Sequence, residues 1–266
     1  MRTDHNTLLR FARRFARAAL AAAVAVAAQA TIAAGSSSAP GPTNGDGHRP
    51  GTAPMQPVGP GRKASGAAEQ VRRWNREAFE AYERDDVDLA VALYRRAARA
   101  GDASARYNLA VIRIREEHLG TPLASALELL RASANAGFAP AQYMLGSLLD
   151  AGQLTKQSTT EATRWFRLAA AQGHPDAALA LGVQHFLGRG APLDYGQAAH
   201  WYEQAAEAGD VAAQYLLASM YEKGLGVPLD LERALQWYSS AARQGDVVAR
   251  EQARAVAARI ARERGT

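Results

Sequence analysis

From about Ala67 onward the apolar residues fall at spacings of three and four, the period of helices that each bury one face. Two such patterns alternate. The first places Ala105, Ala141, Ala177 and Ala213 four residues ahead of Leu109, Leu145, Leu181 and Leu217, with a small residue (Ala110, Gly146, Gly182, Ala218) directly after each leucine. The second carries large apolar pairs, Leu93-Tyr94, Leu129-Leu130, Trp165-Phe166, Trp201-Tyr202 and Trp237-Tyr238, flanked by alanines. Each pattern predicts an amphipathic helix, and the small positions let neighbouring helices cross closely.

Both patterns keep one register. Gly101, Gly137, Gly173, Gly209 and Gly245 recur every 36 residues, each ending a second-type helix where a left-handed stop is expected. We number positions from each of these glycines, so that the alanines stand at +4, the leucines at +8 and the small residues at +9. Within units, Gly188-x-Gly190-Ala191-Pro192-Leu193-Asp194 and Gly224-x-Gly226-Val227-Pro228-Leu229-Asp230 read as turns that end one helix, with an Asp to cap the next. A single helix pair cannot hide its apolar face, so neighbours must stack into a continuous core. The expected fold is all-α: a right-handed α-solenoid of about five helix pairs (about 70–102, 103–138, 139–174, 175–210 and 211–246). A capping helix over 247–266 follows, its outer face marked by Arg250, Arg254, Arg259, Arg262 and Arg264.

The sentence Asp-x-x-Ala-x-Tyr-x-Leu-x-x-x-Tyr-x-x-Gly-x-Gly-Val-x-x-Asp, followed by Ala-x-x-Trp-Tyr-x-x-Ala-Ala-x-x-Gly, stands most fully in the unit Asp210–Asp246. The unit from Pro175 keeps Leu181-Gly182, Gly188, Gly190, Asp194 and Trp201-Tyr202, while the unit from Ala139 has Leu154 for the second turn glycine. In this the chain resembles Sel1-like repeat proteins, a branch of the tetratricopeptide-type solenoids. The resemblance implies a protein-interaction scaffold. Some relatives of that type carry paired cysteines and have been linked to β-lactam binding or hydrolysis; this chain has no cysteine.

The residues ahead of the repeats differ in kind. Arg2, Arg10, Arg13, Arg14 and Arg17 precede the run AALAAAVAVAA at 18–28 and a small-x-small site at Ala28-Gln29-Ala30, the order of a secretory signal over 1–30. Cleavage is expected after Ala30 or Ala34, and an uncleaved signal anchor is the alternative. Residues 31–66, rich in Gly, Ser and Pro, offer too little apolar surface to offset the entropy of ordering, and are expected to be a disordered linker. The expected location is therefore exported, periplasmic or secreted, or membrane-tethered through the anchor.

Charge then loses its meaning as a signal. The formal +5 and pI near 9.7 suggest a polyanion partner, but the first 30 residues hold five Arg and one Asp, and without them the charge is about +1. That leaves no excess of cations to neutralise phosphates, which argues against nucleic acid. The absence of cysteine removes disulfides, thiol nucleophiles and thiolate metal sites. No nucleophile elbow, phosphate loop or metalloprotease helix is present, and His5, His48, His118, His174, His185 and His200 form no ligand pair. The chain is expected to be no enzyme and to hold no cofactor or metal.

What remains is the concave side, lined by first-type helices. There Tyr107, Tyr143 and Tyr215 at +6 stand beside Asn108, Gln142 and Gln214, with Gln184, Arg115 and Lys223 as further candidates. Broad rings next to amides suit contact with a protein or peptide. The competing reading is that the tyrosines are packing positions. Two other functions stay open: a cell-envelope glycan-binding scaffold, and a β-lactam-binding protein or hydrolase.

Overall fold

The computed structural model describes residues 66–115, 123–153 and 155–265. The leader and linker expected over 1–65 lie outside the described residues, as do Glu116, Glu117 and His118. Eleven helices follow one another in the described residues: α1 (Gly66–Glu83), α2 (Val87–Arg99), α3 (Ala103–Arg115), α4 (Leu123–Asn135), α5 (Ala139–Ala151), α6 (Thr159–Ala170), α7 (Pro175–Leu187), α8 (Tyr195–Glu207), α9 (Val211–Lys223), α10 (Leu231–Arg243) and α11 (Val247–Arg264). Consecutive helices pack as neighbours throughout, forming five pairs and a final single helix: the expected α-solenoid.

The turns follow from their residues. Asp86, Asp194, Asp210, Asp230 and Asp246 each accept the backbone N–H three positions on, and Ser158 does the same for α6, so each start gains a partner for an otherwise orphaned donor. In the short first pair the turn Arg84–Asp86 puts Asp85 at φ 63°. Gly226 has φ 70°, and a Cβ there would stand 2.2 Å from the Tyr195 carbonyl carbon, so glycine alone lets this turn rest on the start of the preceding unit's α8.

Packing explains the alternation of sequence patterns. The first-type helices are enclosed on nearly every side: residues 141–149 of α5, 181–186 of α7 and 213–221 of α9 are all buried. Second-type helices bury one face and show the other to solvent. At +9 the need for a small residue is literal, because a Cβ on Gly182 would come within 2.6 Å of the Tyr202 ring. The array stops at α11, which has Ala253 in place of the +8 leucine and Arg254 in place of the +9 small residue.

Candidate functional site

On a helix, +3, +7, +10 and +14 share a face, with +6 at its margin. Across α3, α5, α7 and α9 this face runs the length of the array, and it keeps a thin line of exposure. Tyr107, Tyr143, Leu179 and Tyr215 at +6 are each 6–7% exposed, as are Val111, Ser147 and Val183 at +10. This line is the candidate floor of the groove expected along the first-type helices.

The floor is tight, and the expected tyrosine–amide ladder is packed into it. Tyr107 packs edge-on against Phe138 at 5.4 Å, Tyr143 lies between Phe166 at 5.9 Å and His174 at 4.8 Å, and Tyr215 meets Tyr238 at 5.3 Å. The tyrosines are core residues that present only an edge. Burial pushes the Tyr143 and Tyr215 hydroxyls up in pKa, with nearby carboxylates adding to it.

The amides are occupied within the chain. Gln142 donates to the Ala134 carbonyl (3.1 Å) and accepts from Gln172 (2.7 Å); Gln214 donates to the Ala206 carbonyl (3.1 Å) and accepts from Gln244 (3.0 Å). Gln184 donates to Asp150 (2.8 Å), which also accepts from Arg189 (3.1 Å), while the Gln184 Oε1 has no partner. Asn108 bonds the Tyr94 hydroxyl, which burial pushes up to about 12. Buried amides left unpaired are costly, so these partnerships hold the array together. Lys223 is exposed at +14; the side chain of Arg115 lies outside the described residues.

One group escaped the sequence reading. His174, Asp176 and Asp210 stand where α7 and α9 begin. The His174 ring is stacked on Tyr143, its Nδ1 buried without a hydrogen-bond partner and 4.0 Å from Asp176. Burial lowers the His174 pKa to about 4. Burial raises that of Asp176, and raises that of Asp210 to about 6, where capping hydrogen bonds from Ala213 and Ala212 oppose the shift and the Asp176 charge adds to it. The signal was available at +1: Phe138 faces Tyr107, and His174 takes the same place against Tyr143.

The remaining histidines have plain surroundings. His185 is buried with Nδ1 3.3 Å from the Pro192 carbonyl, and His200 pairs with Gln204 on the outer face of α8. Among the described residues no three His, Asp or Glu are grouped to hold a metal, and no helix is long and apolar enough to cross a membrane.

Stacked helix pairs with a shared core and a groove along their first helices define an α-solenoid of the tetratricopeptide type. The Sel1 repeat model matches residues 81–102, 139–174, 175–210 and 211–246, and the chain is a Sel1-like repeat protein. It is similar to the crystal structure of a protective antigen of uropathogenic Escherichia coli strains that displays an SLR fold, with 33% identity over 70% of this chain and 40% of that one and a TM-score of 0.64. It is also similar to a Sel1 repeat protein from Oxalobacter formigenes, with 30% identity over 63% of this chain and 49% of that one and a TM-score of 0.58. The chain thus spans less than half the length of each. No curated protein matches it.

Proposed function

We propose that this chain is an exported, non-enzymatic scaffold that holds a protein or peptide partner along its concave groove. The observation that carries the reading is the line of residual exposure at +6 through four successive first-type helices, joined at +10 by Val111, Ser147 and Val183 in the first three of them. A partner segment laid there meets ring edges and aliphatic side chains on the floor, with Asp176 and Lys223 on the same helix face as polar contacts. Export rests on the leader over 1–30, which directs the scaffold to the periplasm or beyond.

The test is crosslinking capture from the native cell envelope with the full chain, compared with a chain carrying Asp176→Lys and Lys223→Glu. Both side chains reach solvent, so the fold is expected to survive. A discrete protein captured by the wild type and lost from the variant is the expected result. Equal capture by both would refute the groove.

A further inference from the structure

A floor only 6–7% exposed offers a partner ring edges and little more, and the side-chain stitches that hold it closed are unevenly spread along the array. The turns at Gly101, Gly137, Gly173, Gly209 and Gly245 lie along one edge, where first-type helices begin and second-type helices end. Between successive turns, three of the four intervals are stitched. The interval from Gly101 to Gly137 is closed by Ser133, which donates to the Ala103 carbonyl at 2.6 Å. From Gly137 to Gly173 the stitch is the Gln142–Gln172 pair, and from Gly209 to Gly245 it is the Gln214–Gln244 pair, where Gln244 also donates to the Gly209 carbonyl at 3.1 Å.

The interval from Gly173 to Gly209 has none of these among the described residues. The glutamine places at +5 and −1 are Ala178 and Ala208, and the place of Ser133 is Ala205. In the chain's own repeats glutamines at these two places occur together or not at all: Gln142 with Gln172, Gln214 with Gln244, Ala178 with Ala208, Arg106 with Ala136. In place of a stitch, this interval has two carboxylates, Asp176 beside the first turn and Asp210 beside the second, with the Asp176 charge adding to the upward shift of Asp210. The opposite edge is tied here: Asp150 of the third pair accepts from Gln184 and Arg189 of the fourth.

We infer that the fourth helix pair is the gate of the groove: its unstitched edge between Gly173 and Gly209 swings open about the Asp150–Gln184–Arg189 tie, lifting His174 from its stack on Tyr143 and baring that ring for a partner. The use of the gate rests on the groove reading above; its existence does not.

The test supplies the missing stitch. Gln142 and Gln214 are themselves buried, so the +5 site accommodates a glutamine in this array. In the full chain, Ala178→Gln with Ala208→Gln recreates the glutamine pair, with the Ala170 carbonyl as third member. Ala205→Ser independently recreates the Ser133 bond, to the Pro175 carbonyl. Amide hydrogen exchange followed by mass spectrometry reads opening without any partner. In the wild type, amides flanking Gly173 and Gly209 should exchange faster than their equivalents at the other turns. Either variant should slow them roughly tenfold, the effect of one or two net hydrogen bonds, and leave the other turns unchanged. Should the double glutamine variant fail to fold, the serine variant decides alone. Wild-type exchange at this interval as slow as at the stitched ones would overturn the gate and leave the groove reading standing. Protection gained here, with capture lost in Asp176→Lys/Lys223→Glu, supports both.

Discussion

Replacing His174 with Phe tests the electrostatics of the groove edge, because Phe138 already fills the same place one unit earlier. His174 titrates near 4 in the folded chain against an ordinary 6.5, so on acidification the unfolded state takes the proton first. Its contribution to stability is present above 6.5 and lost as pH falls through 4. Asp210 runs the other way. With a folded pKa near 6 against 3.8, the folded state takes the proton first, and stability is gained as pH falls through 6. At 1.36 kcal/mol per unit, going from about pH 7.5 to about pH 4.5 costs about 2.5 kcal/mol through His174 and returns about 2 kcal/mol through Asp210. Asp176, raised in the same sense but 42% exposed at its side chain, adds a smaller gain. The two main effects nearly cancel in the wild type. In His174→Phe the histidine loss is gone, so the stability gap between wild type and variant should shift by about 2.5 kcal/mol between the two pH values. Urea unfolding by circular dichroism at matched ionic strength measures it, with equal m-values required at each pH. A gap that moves by less than about 0.5 kcal/mol would show that His174 is not a neutral, desolvated ring in the folded chain, and the reasoning would fall.

Three further outcomes follow from packing. Tyr202 is fully buried with its hydroxyl unpartnered, so Tyr202→Phe should leave thermal stability unchanged or raise it by a few degrees, whereas Tyr238→Phe, which deletes a 2.9 Å bond to Glu222, should cost about 1 kcal/mol. Gly182→Ala drives a methyl to within 2.6 Å of the Tyr202 ring and should destabilise by about 1–3 kcal/mol in thermal melts; Ala218→Gly, at the same place in the next unit, should lack any such clash and cost only about 1 kcal/mol of helix propensity. Tyr143→Ala removes a core ring and should cost about 3–5 kcal/mol in urea unfolding, which would make it useless as a clean probe of binding.

The helix count, pairing and stops were legible in the chain because the repeat writes them over and over: the glycine at 36-residue spacing, five times, is demanded by a positive φ, and the small residue at +9, four times, by the close crossing of the next helix, and each of these tolerates few residue types. The groove residues were harder. Tyr143 at +6 is compatible with an open face or with a ring wedged between Phe166 and His174, and its choice depends on how tightly neighbouring units curl, which no single unit encodes. Gln142 looked like a free amide because both its partners lie elsewhere in the chain, one eight residues back at Ala134 and the other thirty residues on at Gln172. His174 departs at +1 from the aspartate kept at Asp102, Asp210 and Asp246, and departures from a repeat stand out only after the repeat itself is laid in register.

Arg254 has an implication for how such chains change over generations. Arg254 stands where the other units keep a small residue, so a copy of the 36-residue segment inserted upstream of α11 keeps every +9 crossing as it is. Copy number is then free to vary in the interior while the last helix is inherited intact, much as a telomere is kept at the end of a growing chromosome. The shared core lengthens by one helix pair with each copy, so a lineage can change the reach of the array by altering nothing but repeat number.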